Sequence, residues 1–162
     1  YTPDVILGDL DSLSDESKLE FTDHIIEIPD QSQNDLRKAI NYAKDNKIDN
    51  ITIIGASGKR EDHTLGNIFS LLDYGDLNIK IYTDTGIFSG IHETQNIESF
   101  KGQQVSIFTP DSTIKITSNN LKYNFNNSTI STLFNGTLNE STNSFFEINI
   151  SHGNLLIFQT YK

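Results

Sequence analysis

The chain has 162 residues, enough for one domain or two small ones and for a sizeable buried core. Twenty-two acidic against 12 basic residues give a formal net charge of −10, which argues against the basic stripe that non-specific nucleic-acid binding requires. A nucleotide remains compatible with that charge, because Mg²⁺ bridges carboxylates and phosphates. With no cysteine, disulfides and thiolate metal sites are excluded, and a reducing cytoplasm suits the composition. No run approaches the roughly 18 apolar residues needed to cross a membrane, and no signal peptide is visible. The chain opens Tyr1-Thr2-Pro3 and lacks methionine, so it is expected to begin inside a larger protein, with elements ahead of its first strand.

In chain order, residues 4–7 form a short apolar strand running into Gly8. A short helix over 14–21 follows, with Ser14 as N-cap and Asp15 and Glu16 in its first turn. Residues 24–28 form the next strand, stopped by Pro29. Asn34 then caps a helix whose Leu36, Ala39, Ile40 and Ala43 recur at i, i+3, i+4, i+7. The β-branched run 51–54 suits a strand buried on both faces. A helix over about 64–74 carries Leu65, Ile68, Phe69 and Leu72 on one side, and 79–82 is a fourth strand. Such alternation predicts a parallel sheet with right-handed crossovers.

From about Gly86 onward no helix is predicted. Runs at 104–108, 113–117, 129–134, 145–150 and 155–160 are separated by Asn, Gly, Asp and Ser clusters, the rhythm of a β-sandwich or small barrel. Phe146, Ile148 and Ile150 share one face by period-2 alternation, while the Asn119-Asn120 and Asn126-Asn127 pairs read as turns. The expected fold class is α/β plus all-β. A Rossmann-like parallel-sheet domain over 1–85 is followed by a β-sandwich over 86–162.

Three loops at strand ends carry acids: Gly8-Asp9-Leu10-Asp11-Ser12, then Asp30-Gln31-Ser32-Gln33-Asn34-Asp35, and a glycine-containing stretch over 55–63. Loops after parallel strands gather on one sheet edge, so these carboxylates are expected to converge. Asp9 and Asp11, two residues apart, would project to one side of extended backbone and suit one hard cation. A plain Asp-Gly turn is the alternative. Asp35 reads either as a ligand or as a first-turn helix acid, and Gln31 has an amide able to donate to a phosphate oxygen. In the third loop, Gly55 and Gly58 permit close backbone approach, the following helix start favours an anion, and Lys59 and Arg60 add positive charge. The Walker A spacing is absent. Asp62 reads as metal ligand or helix cap, and His63 as structural hydrogen-bonder or participant.

Taken in order, Gly8-Asp9-Leu10-Asp11-Ser12, then Pro29-Asp30-Gln31 with Asp35-Leu36, then Gly55-Ala56, Gly58, Arg60, Asp62-His63-Thr64-Leu65 and Asn67 resemble the thiamine pyrophosphokinase family. Leu121-Lys122-Tyr123-Asn124 and Ser141-Thr142-Asn143 are similar to stretches of its thiamine-binding β-domain. The resemblance implies transfer of a pyrophosphoryl group from ATP to thiamine, with Mg²⁺, in a homodimer with active sites at the interface. It implies metal ligation by Asp9, Asp11, Asp35 and Asp62, and catalytic roles for Asp35, Asp62 and Arg60. ATP phosphates would meet Gln31, Gly58, Lys59, Arg60 and Asn67. Thiamine would meet His63, Thr64, Tyr123, Ser141, Thr142 and Asn143. Departures from the family pattern are Lys59 in place of a glycine, Thr142 where serine is common, and Ser32 where an acid is common. The alternatives are a pyrophosphokinase for another alcohol such as a hydroxymethylpterin, a non-catalytic nucleotide-binding module, and a metal-dependent phosphohydrolase.

Overall fold

The computed structural model describes residues 1–162. Two compact units make up the chain, Tyr1–Ile48 and Asp49–Lys162, and no helix is long and apolar enough to cross a membrane.

The first unit contains β1 (Ile6–Gly8), α1 (Asp15–Glu20), β2 (Ile25–Glu27) and α2 (Asp35–Asp45). Ser14 caps α1 as expected, its hydroxyl accepting the Ser17 N–H at 3.2 Å. Strands β1 and β2 are parallel, with Ile6 opposite Ile25 and Gly8 opposite Glu27. The Ile28 N–H donates to the Gly8 carbonyl at 2.7 Å, carrying the pairing up to the acidic loops. Asn34 caps α2 through the Arg37 N–H at 2.9 Å, which leaves Asp35 as the first helical residue. Of the predicted apolar stripe, Ile40 is buried, Leu36 and Ala43 are half-buried, and Ala39 is exposed.

The second unit opens with β3 (Asn50–Ile53), α3 (Glu61–Phe69), a 3₁₀ turn (Ser70–Asp73) and β4 (Asn78–Tyr82). Strands β5 (Gly86–Ile91), β6 (Gln95–Glu98), β7 (Gln104–Phe108), β8 (Ile116–Asn119), β9 (Asn139–Glu140), β10 (Phe145–Ile150) and β11 (Leu155–Thr160) follow. One sheet has the order β3-β4-β5-β11-β7-β9 and another β6-β10-β8. Only β3 and β4 pair in parallel here; every later pairing is antiparallel. Residues of both sheets, among them Val105, Ile107, Ile116, Phe146, Ile148, Leu155 and Ile157, fill one apolar core.

The architecture is mixed α/β with several sheets, and it corrects the sequence reading at four points. The single parallel sheet expected in the first half is two parallel pairs, β1 with β2 and β3 with β4. The Thr83 N–H donates to the Gly86 carbonyl at 2.9 Å and closes a tight turn, so β5 returns antiparallel to β4. A Cβ on Gly86 would lie 2.2 Å from the Gln159 carbonyl oxygen, so the close approach of β11 requires glycine there. Strand β3 lies at a sheet edge, with Thr52 and Ile54 exposed, rather than buried on both faces. Helix α3 starts at Glu61, three residues early, and Ile68 is buried while Leu65 is exposed. Finally, 129–134 is not a strand but bends leading into a 3₁₀ turn (Leu133–Gly136). Both Asn pairs do turn the chain, with Asn120 and Asn127 at φ of 63° and 49°.

Candidate active site

In the first unit, the acids are tied to their own loops. The Asp9 Oδ1 accepts the Asp11 N–H at 3.2 Å, and its Oδ2 receives the Gln31 amide at 3.4 Å. Those bonds, with a smaller contribution from the Lys38 charge, hold Asp9 below the usual carboxylate range. Leu10 between the two acids sits at φ 61°, a left-handed conformation unfavourable for leucine. The backbone is therefore a turn and not the extended segment assumed for Asp9 and Asp11, and the Asp11 side chain is left exposed. Gln31 donates to a carboxylate here, the same donor capacity assigned to phosphate.

Asp35 has the most constrained surroundings. Its Oδ1 accepts from the Lys38 ammonium at 3.1 Å, and Lys38 has a side chain only 2% exposed. Gly8 also lies against this carboxylate, at φ +155°, where a Cβ would stand 3.0 Å from the Asp35 Oδ1. Next to it, Asp30 accepts the Ser32 N–H at 2.8 Å and the Gln33 amide at 3.1 Å, and Gln33 accepts from Asn41 at 2.7 Å. Sequence reasoning missed Lys38, Gln33 and Asn41. A lysine at a buried helix position, three residues after an acid, was the available signal.

In the second unit, Gly55 at φ 74° and Gly58 at φ 123° shape the loop between β3 and α3. Arg60 stands at the N-cap of α3 without a side-chain capping bond, so the Glu61 and Asp62 N–H groups remain available to an anion. Asp62 is not the cap. Its two oxygens accept from Arg60, Nε to Oδ1 at 3.0 Å and Nη2 to Oδ2 at 2.5 Å, and Oδ1 also accepts the His63 N–H at 2.9 Å. The Arg60 guanidinium pulls the Asp62 carboxyl down to about 2. Two further predicted ligand residues support the loop itself. Asn67 donates to the Ala56 carbonyl at 3.0 Å, and the Thr64 hydroxyl donates to the Arg60 carbonyl at 2.9 Å. Lys59 and His63 are exposed.

Farther along the second unit, Tyr123 is 63% exposed, with the Lys122 ammonium 5.8 Å from its ring centroid and Glu140 3.6 Å from that ammonium. Its backbone is clamped by Asn139, which sequence reasoning passed over. The Asn139 Oδ1 accepts the Tyr123 N–H at 3.1 Å while its Nδ2 donates to the Tyr123 carbonyl at 2.7 Å. Asn139 is buried, and its residue type in a two-residue strand was the only sequence signal. Ser141 is fully buried and donates to the Asn143 carbonyl at 3.1 Å. Its hydroxyl thus braces the Thr142-Asn143 turn, and only Thr142 and Asn143 are exposed.

No three acidic or imidazole side chains are grouped to hold a metal ion by themselves. Within the first unit, Asp9, Asp11 and Asp35 offer hard oxygen donors without forming a closed cage. Such a donor set fits Mg²⁺, which keeps waters and takes one or two carboxylates together with substrate phosphates.

The order of these features along the chain coincides with two family matches. The family model described as thiamin pyrophosphokinase, catalytic domain, matches residues 1–83, and that of the thiamin pyrophosphokinase substrate-binding domain matches 86–158. The chain belongs to the thiamin pyrophosphokinase family. Among thiamin pyrophosphokinases, thiamine pyrophosphokinase 1 of Oryza sativa subsp. japonica is 30% identical over 147 residues, covering 81% of this chain and 56% of that protein. Thiamine pyrophosphokinase 2 of Arabidopsis thaliana is 34% identical over 109 residues, covering 60% and 40%. The chain thus spans about half the length of the curated relatives it matches. The crystal structure of thiamine pyrophosphokinase from Bacillus subtilis superposes with a TM-score of 0.82 at 22% identity, covering 99% of this chain and 79% of that one. The thiamin pyrophosphokinase of Candida albicans gives 0.77 at 21% identity, with 99% and 74% coverage. At such identities the likeness is one of fold. The family's division at residues 83–86 differs from the compact-unit boundary after Ile48 because β3 and β4 continue into the six-stranded sheet.

Proposed function

We propose that the protein bearing this chain is a thiamine pyrophosphokinase, transferring a pyrophosphoryl group from ATP to the hydroxyethyl oxygen of thiamine. Residues 1–85 serve as a Rossmann-like catalytic domain for MgATP. Residues 86–162 serve as a β-sandwich that binds thiamine and joins a second copy, with the active sites at the homodimer interface, in the cytoplasm. The observation that carries the reading is the matching of both family domains, in order, on a chain whose acidic turn and glycine loop lie inside the first match.

The thiamine hydroxyl oxygen attacks the β-phosphorus of ATP, the bond from that phosphorus to the oxygen bridging the α-phosphate breaks, and AMP leaves with the electron pair. Such a transfer needs positioning and charge neutralisation more than covalent chemistry from the protein. Asp9 and Asp11 would hold Mg²⁺, with Asp35 and Asp62 as the further candidate ligands, and the ion would supply neutralisation of charge on phosphate oxygens. Gly58, Lys59 and Arg60 are the phosphate contacts of the glycine loop, with Asn67 holding that loop, and Gln31 is the phosphate contact of the acidic loops. Tyr123 stacks on the thiamine rings, joined by His63, Thr64, Thr142 and Asn143. Asp35 takes the hydroxyl proton. Its Oδ2 carries no hydrogen bond, whereas both oxygens of Asp62 are occupied by Arg60.

Full-length protein incubated with ATP, Mg²⁺ and thiamine is expected to release AMP only when thiamine is present. AMP released equally without thiamine would point to a phosphohydrolase. Bound but unconsumed ATP would point to a non-catalytic module, and AMP released only with a hydroxymethylpterin to the other acceptor.

A further inference from the structure

A lysine ammonium is seldom buried without a partner, because taking it out of water is costly. Lys38 is buried on α2, and its ion-pair partner, Asp35, has a side chain 59% exposed. The charge is therefore inside while its partner faces solvent. Lys38 holds Oδ1 at 3.1 Å, and the bare Cα of Gly8 makes room for the carboxylate. A side chain at Gly8 would have to displace it.

We propose that Lys38 is a positioning residue: it occupies Oδ1 of Asp35 and leaves Oδ2 as the oxygen that Asp35 presents, in the space that Gly8 leaves open. The ammonium is also a countercharge inside the acidic unit, since it lies 3.1 Å from a carboxylate assigned to the metal. A cation at this place has two consequences. It keeps like-charged carboxylates together while no metal is bound, and it opposes the metal that those carboxylates attract. Metal affinity and turnover are therefore expected to move in opposite directions when the charge is removed, a split that general structural damage does not produce. The turnover half of this inference rests on the pyrophosphokinase reading; the metal half does not.

The test uses full-length protein with Lys38→Met, Lys38→Gln and Lys38→Arg, read by Mn²⁺ titration without nucleotide and by steady-state AMP release. Lys38→Met and Lys38→Gln are expected to bind Mn²⁺ about tenfold tighter, because the competing charge is gone. Their kcat is expected to fall about 100-fold, with KM for ATP and thiamine within about threefold, because Asp35 is no longer held. Lys38→Arg should keep the wild-type Mn²⁺ affinity and recover kcat to within about tenfold of wild type. A cavity of about 150 Å³, bordered by Lys38, Asp30 and Tyr42, can take its extra bulk. Should Lys38→Met not fold, the glutamine variant gives the same reading. Mn²⁺ affinity that is unchanged or weaker in both uncharged variants, or an arginine variant as slow as the uncharged ones, overturns the inference. Absence of thiamine-dependent AMP in the wild type overturns the functional reading instead, and the Mn²⁺ titration still decides the placement of Lys38.

Discussion

The two compact units are held together by different physics. In the second, an eleven-residue apolar cluster drawn from two sheets and their connecting loops is almost wholly removed from water. In the first, the one fully buried hydrophobic side chain is Ile40, and beside it on the same helix is a buried lysine. Its loops are ordered instead by Asp9, Asp30, Gln31, Gln33 and Asp35 bonding to neighbouring backbone and side chains. Net hydrogen bonds contribute about 1 kcal/mol each, so such a unit lies nearer the low end of local stability. The residues that would bind metal are thus also those that shape the loops, whereas the Arg60 loop and Tyr123 project from a unit stabilised elsewhere.

The largest effect expected from this contrast is in the apolar cluster. Phe146→Ala empties a fully buried site between Ile148 and its neighbours and should cost about 3–5 kcal/mol in denaturant unfolding. A cost below about 1 kcal/mol would show that the second unit does not depend on that core. Next come Asp9→Asn and Asp11→Asn, each expected to lower AMP release at least 100-fold with circular dichroism unchanged. Asparagine keeps an acceptor for the Asp11 N–H, so charge is removed and the turn is retained. A double variant with wild-type turnover at low Mg²⁺ would remove the metal assignment. A smaller effect is expected of Asn139→Ala, which leaves the Tyr123 N–H and carbonyl without their partners. Thiamine KM should rise about tenfold with the KM for ATP unchanged; equal rises in both would show a structural role only.

Much of this was legible in the sequence. Capping chemistry located α1 and α2 because Ser14 and Asn34 act locally, and alternation located the buried face of β10 because Phe146 and Ile148 obey period 2. Strand pairing was not legible. The parallel sheet was inferred from strand–helix alternation, but the turn at Thr83–Gly86 reverses the chain, and β5 is disguised by Gly86 and Gly90, which a strand pattern ordinarily excludes. For the site, residue types pointed to segments, yet not to which side chains bond to one another. Asp62 and Arg60 were assigned to metal and phosphate separately and are paired. Ser141 was assigned to thiamine and is buried. Lys38 and Asn139 act through Asp35 and Tyr123, a dependence that spacing alone does not encode.

The Arg60–Asp62 pair gives the smallest expected effect and the most direct view of the loop. Both side chains are about two-thirds exposed, so solvent screens the pair and its contribution to global stability should be slight. Its titration is nevertheless distinctive. The Asp62 carboxyl is lowered from 3.8 to about 2, so whatever the pair contributes is present above the ordinary value and lost only as pH falls through about 2. Between pH 5 and 3 the Asp62 carboxyl carbon shift should therefore stay flat in the wild type and move in Arg60→Gln. If Arg60 turns to a phosphate when ATP binds without metal, Asp62 loses its largest stabilising partner and the wild-type carboxyl should begin to titrate in that same window. A shift that stays flat with metal-free ATP bound would show that Arg60 keeps its carboxylate and takes no phosphate, leaving Lys59 and the α3 N-terminus as the anion donors of the loop.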